Sequence, residues 1–149
     1  MAAAEKAPAE IVIKPCARAF FVYYVAIAIF LLGPRFNPEV QIFGLFNFSV
    51  ALGTILGLLV IAAVIYLKFG REYRITPKGL ITVWRWPSPR QQEIAWVNLG
   101  DVLLRRGLIQ TILHVGNLMI QDKSGGPQMF WYGLPNPKEI QAEIERRRP

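Results

Sequence analysis

Histidine and cysteine occur once each in these 149 residues, and only 10 acidic side chains stand against 17 lysines and arginines. A lone cysteine, Cys16, rules out an internal disulfide, and a structural zinc site would need other ligands. Cys16 lies beside an apolar run, where reversible acylation is conceivable, but a plain reduced thiol is the expectation. The lone histidine, His114, has no Asp or Cys beside it in sequence, so it is read as a packed or solvated strand residue. Ser124-Gly125-Gly126-Pro127 lacks the Lys-Ser/Thr and helix that complete a phosphate-binding loop, and it reads as a hairpin turn. No nucleic-acid-binding motif is found. No catalytic, metal-ligating or cofactor-binding residue is expected, and the chain is read as a non-enzyme.

What the chain does have is apolar length. Ala19–Leu32 and Phe48–Leu67 are long uncharged runs, and the residues are 53% hydrophobic overall. About 20 apolar residues cross a hydrocarbon core roughly 30 Å thick. The expected architecture is an N-terminal tail (1–15) and a two-helix transmembrane hairpin (16–69). Its helices should cover about 17–33 and 47–68, with a polar module from 70 to 149. Pro15 and Gly33-Pro34 are start and stop signals for the first helix. No small-residue cleavage site follows it, which argues against a signal peptide.

Lys6, Lys14 and Arg18 precede the first helix, whereas Arg35 and Glu39 lie in the short connection. Lys68, Arg71, Arg74 and Lys78 follow the second helix. Positive residues stay inside, so both ends are expected in the cytoplasm. Neither run holds Asp, Glu, Lys or His at mid-depth, which argues against a transport pathway built on ionisable groups. Gly53 and Gly57 form a G-x-x-x-G, a candidate for close helix packing with the first helix or with another protein. Tyr23 and Tyr24 are expected to pack between helices. Phe36, Phe43, Phe46, Phe48, Tyr66 and Phe69 suit interfacial belts, and Val40–Asn47 is expected to extend the second helix or lie on the outer surface.

The net charge of +7 fits headgroup contact better than nucleic acid in such a chain. Lys68, Arg71, Arg74, Lys78, Arg85 and Arg90 form a candidate basic face toward an anionic inner leaflet. The plainer reading is that the first three set topology. Asp101 with Arg105 and Arg106 is expected to be an ion-pair cluster.

Beyond Gly70 the texture is strand-like. Glu72–Thr76, Leu80–Trp86, Arg90–Ala95, Val97–Arg106, Leu108–Leu113, Asn117–Gln121 and Gln128–Tyr132 are predicted strands, indicating a small antiparallel barrel or sandwich. Asn136-Pro137-Lys138-Glu139 then starts a helix (about 137–147) as cap, first-turn proline and acidic third residue. On it Ile140 and Ile144 share one face, with Glu143 and Arg147 paired along another. Trp84, Trp86 and Trp131 are candidates for a protein interface, aromatics being common anchors. Trp84 and Trp86 are expected on one strand face.

Several segments carry a resemblance: YRIT-PKGL at Tyr73–Leu80, RQQEIAW at Arg90–Trp96, RRGLIQ at Arg105–Gln110, HVGNLMI at His114–Ile120 and GLPNPKEI at Gly133–Ile140. Together they resemble the pleckstrin-homology-like (PH-like) domain of small bacterial membrane proteins with two preceding helices. His114-Val115-Gly116 departs from the G-x-G often found there. The resemblance implies a membrane helical hairpin followed by a small α+β domain, a twisted antiparallel sheet-barrel capped by the C-terminal helix. It also implies phosphoinositide or peptide ligands. The resulting expectation is a multi-pass inner-membrane protein acting as an accessory or assembly subunit with an integral-membrane partner. The alternative is a stand-alone module binding anionic lipid.

Overall fold

The computed structural model describes residues 9–37, 41–42, 46–47 and 49–149. They fall into two compact units: Phe20–Leu67, and the residues on either side of it.

The first unit is built on two helices, α1 (Phe21–Phe36) and α2 (Val50–Phe69). With the 3₁₀ turn at Ala17–Phe20 before α1, both stretches reach 20 residues and are long and apolar enough to cross a membrane by length and composition. Gly33-Pro34 does not stop α1 as expected. Pro34 removes one donor from the last turn, where few bonds remain to be lost, and Asn37 N–H closes the end on the Gly33 carbonyl at 2.9 Å.

Gly57 lies against the first helix: a methyl group there would sit 2.5 Å from Leu31 Cδ2. Gly53 is also buried. Tyr23 and Tyr24 do not pack between helices, since every residue from Phe21 to Val25 is exposed in this unit. Between the helices, β2 (Gln41–Ile42) and β3 (Phe46–Asn47) form an antiparallel pair where a helix extension or surface segment was expected. Lys6, Glu39, Phe43 and Phe48 lie outside the described residues, and so do Val40 and Gly44 of the stretch predicted over Val40–Asn47.

The second unit is a sandwich of two antiparallel sheets. One has the order β1-β4-β5-β6 (Ile11–Ile13, Arg71–Ile75, Gly79–Trp84, Arg90–Ala95). The other is β7-β8-β9 (Leu99–Arg105, Val115–Asp122, Pro127–Pro135). The expected barrel is not closed, because no ladder joins β6 to β7 or β9 to β1. Alternation puts Tyr73, Ile75, Leu80 and Thr82 on the inner face of one sheet, against Leu118, Ile120, Met129 and Trp131 of the other.

Tyr73 and Trp131 stack at 5.1 Å, worth about 0.5–1.5 kcal/mol beyond area burial. Trp131 Nε1–H donates to Thr82 Oγ1 at 2.8 Å, which satisfies both buried polar groups. Trp131 is thus core rather than interface, fully buried between the sheets. Helix α4 (Pro137–Arg147) packs across β7 and β8 and seals the core with Ile144, and Ile140 packs beside it.

Two local expectations fail. Ile11–Ile13, read as tail, is the edge strand β1, pairing Ile11 with Ile75 and Ile13 with Tyr73. Leu108–Ile112, read as strand, is the short helix α3. The cap of α4 is placed as expected but works differently. Asn136 adopts the left-handed conformation (φ 44°), and its carbonyl, not its side chain, accepts from Glu139 N–H at 2.9 Å.

Candidate functional site

Strand direction gives the sandwich two ends. β1 runs antiparallel to β4, so the chain leaves β1 toward α1 at the same end where it returns from α2 into β4. Cys16 N–H donates to the Gly133 carbonyl at 2.9 Å, placing the last residues of β9 at that end too. Gly133 has φ +68°, and a methyl group there would lie 3.0 Å from Ala19 Cβ, so only glycine accepts both the turn and the approach. Since Gly133 N–H also donates to Asn117 Oδ1, and Asn117 pairs with Arg105, the loop from β7 to β8 that carries α3 sits at this end as well. This is the tethered end. The far end holds the turn 76–78, the Trp96–Asn98 turn and the β8–β9 hairpin, linked by Trp96 N–H to Lys78 O and Lys123 N–H to Asn98 O.

The six residues of the expected basic face do not share one face. Arg74 and Arg85 both bind Glu72, whose carboxylate is only 2% exposed on the outer side of the four-stranded sheet. Arg74 meets it at 2.6 Å and also reaches Glu10 at 3.3 Å. These two guanidiniums are largely neutralised where they stand. Lys78 lies at the far end, five residues or about 15 Å along the strands from Arg71.

Lys68 sits over the Phe69 ring at 5.1 Å. Arg71 lies over the Tyr132 ring at 5.6 Å, and its buried Nε lacks a hydrogen-bond partner. The neighbouring Tyr73 hydroxyl accepts from Tyr132 N–H at 2.9 Å, and burial pushes its phenol above the usual range. Arg90 is exposed at the tethered end, where β6 begins opposite Trp84.

Other cations gather at the same end. Lys14 and Arg18 flank the passage into α1, Arg105 and Arg106 precede α3, and Lys138 opens α4; Glu139 is the one acid of that α4 turn. Asp101 pairs with neither Arg105 nor Arg106 among the described residues. Four residues along an extended strand separate Asp101 from Arg105 by about 13 Å.

Arg106, Thr111, His114, Pro137 and Lys138 line an open cleft of about 370 Å³ between α3 and α4. His114 lies in the loop before β8 rather than within a strand, with φ 55° and Nδ1 3.1 Å from the Ile112 carbonyl oxygen. Trp86 lies beyond the end of β5 and is 66% exposed, whereas Trp84 is half-buried, so the two do not continue one strand face. No cluster of three or more His, Cys, Asp or Glu able to hold a metal occurs among the described residues.

The far end is organised by hydrogen bonds. Asp122 accepts from Ser124 Oγ, Ser124 N–H, Gly126 N–H and Gln128 Nε2, which closes the β8–β9 turn as expected. The Ser124 hydroxyl above all holds the Asp122 carboxyl below the usual range. On α4, Glu143 binds Arg147 at 2.6 Å, the expected pair, and Arg146 as well.

Compared with known families, the chain matches the family model described as bacterial PH domain over residues 18–148. No curated protein and no solved structure matches it.

Proposed function

Because the chain belongs to the bacterial PH domain family, we propose that it is a membrane-anchored, non-catalytic interaction module. In this reading α1 and α2 cross the bacterial inner membrane as a hairpin, and both termini and the PH domain lie in the cytoplasm. The domain serves as an accessory or assembly subunit that docks on an integral-membrane partner.

The observation that carries this reading is the tethering. The chain passes between the sandwich and the apolar helices twice, at one end of the sheet. Only Gly70 separates α2 from β4, and three residues, Lys14–Cys16, separate β1 from the turn that opens α1. Two short tethers keep the domain close to the helices more tightly than a single linker would, and a domain kept at the membrane suits docking on a neighbour there. Of the three tryptophans expected at an interface, Trp86 is the exposed one, at 66%, and it lies just past the end of β5.

Purification of the full chain in mild detergent, followed by mass spectrometry, tests this. A stoichiometric membrane protein should accompany it.

A second reading rests on the cations of the tethered end. Arg90, Arg105 and Arg106 have no ion-pair partner among the described residues, as a surface for anionic headgroups requires. Recovery of the chain alone, with affinity for anionic lipid that vanishes at high salt, would favour this reading over the first.

A further inference from the structure

Helix α3 exposes three large apolar side chains together: Leu108 at 87%, Ile112 at 76% and Ile109 at 50%. A soluble surface tolerates a single exposed leucine, but three on one short helix mark a contact. Leu108 and Ile112 are one turn apart and Ile109 flanks them, so they form one face. The polar residues of α3 are turned to its own backbone. Gln110 Oε1 accepts from Gly107 N–H at 3.0 Å, and Thr111 Oγ1 donates to the Gly107 carbonyl at 2.9 Å. The loop is also braced, since Asn136 N–H donates to the His114 carbonyl at 3.0 Å. An apolar face held rigidly outward is not waiting to fold into this domain.

We propose that α3 is a membrane wedge: Leu108, Ile109 and Ile112 insert into the boundary between headgroups and acyl chains of the bilayer that anchors the protein. The occupant follows from place and charge. α3 lies at the end of the sandwich where the chain passes to and from α1 and α2. Arg105 and Arg106 lie directly before it and Lys138 beside it, where headgroup phosphates would stand once the apolar face is immersed. The wedge rests on the membrane-spanning reading and adds a third anchoring point, away from the two tethers, that fixes the tilt of the domain.

The test places single cysteines in the full chain, in a Cys16→Ser background, at Leu108, Ile112, Lys123 and Leu59. Each is labelled with a fluorophore and reconstituted in vesicles of phosphatidylglycerol and phosphatidylethanolamine bearing nitroxide-labelled acyl chains. All four residues are exposed in their own units, so the substitutions should fold. The expected result is strong lipid quenching at Leu108→Cys, Ile112→Cys and Leu59→Cys, and none at Lys123→Cys on the far hairpin. Lipid quenching at Leu59→Cys alone, with positions 108 and 112 open to aqueous iodide, would overturn the wedge and leave the spanning reading standing. Loss of lipid quenching at Leu59→Cys would overturn both. Protection of position 108 from lipid and iodide alike would mean that protein covers it, and would also overturn the wedge.

Discussion

At the far end of the sandwich, acids and bases are mixed and the turns are closed by their own hydrogen bonds. Asp122 takes four donors from its own hairpin, and Glu10 and Glu93 stand near the turns that carry Lys78 and Lys123. At the tethered end, by contrast, Arg90, Arg105 and Arg106 have no ion-pair partner among the described residues, and α3 turns three aliphatic side chains outward. The same strands run through both ends, and one core holds them. Folding does not demand the difference, and the proposed membrane contact at the tethered end accounts for it. The far end closes its turns with its own hydrogen bonds, whereas the tethered end carries Arg90, Arg105 and Arg106 without ion-pair partners among the described residues and the exposed apolar face of α3.

The strongest way to break this contrast is to remove the core that keeps the ends apart. Trp131→Ala deletes the stack on Tyr73 and strips Thr82 of its donor. It should lower stability by about 3–5 kcal/mol in denaturant unfolding of the full chain in detergent. Gly133→Ala acts at the tethered end alone. It forces a side chain into a left-handed conformation against Ala19, at a cost of about 1–3 kcal/mol. Hydrogen exchange should then show β1 and the end of β9 opening while the β8–β9 hairpin stays protected.

Glu72→Gln is next. It puts an amide where two guanidiniums converge, and about 1–2 kcal/mol is expected, moderated because Arg74 and Arg85 are partly exposed. It should also release those arginines and raise affinity for anionic lipid. Arg90→Gln should reduce that affinity by about 1 kcal/mol, whereas Lys78→Gln at the far end should leave it unchanged. Equal losses would erase the distinction between the ends.

The smallest effect is a pH dependence confined to the far end. The Asp122 carboxyl titrates lower in the folded state than in the unfolded one. Its contribution to stability is thus full above the ordinary carboxylate range, near pH 4, and is lost as pH falls through the depressed value. Asp122→Asn should lower the neutral plateau of a thermal-unfolding profile slightly and flatten its acid limb, because the contribution it removes is the one lost at low pH.

Much of this architecture is written locally, and the parts that escape sequence reading are not. Alternation and turn residues mark the six strands from β4 to β9, and Asn136-Pro137 marks the start of α4. β1 is three residues long and gains its identity only from pairing with β4, more than 60 residues away; before an apolar run it reads as tail. Leu108–Leu113 is apolar and β-branched, so its composition favours a strand. Gly107 and the Gln110 and Thr111 bonds to it make one helical turn instead. A basic face read over Lys68–Arg90 groups residues that are near in sequence, but strand parity and Glu72 divide it. Arg105, Arg106 and Lys138 join the tethered end only through the fold. Trp131 reads in sequence as an interface candidate, but the register with Leu118 sets it facing Tyr73.

In the proposed arrangement the tethered end faces the bilayer and the far end points away from it. Energy transfer from a donor at position 90 or position 123 of the reconstituted full chain to acceptors in the headgroup layer measures this directly. β6 runs from Arg90 to Ala95 at the far end, five strand steps or about 17 Å, so the probe at 123 should stand farther from the surface than the probe at 90 by roughly 15 Å. Equal distances, or a probe at 123 nearer the surface, would contradict it.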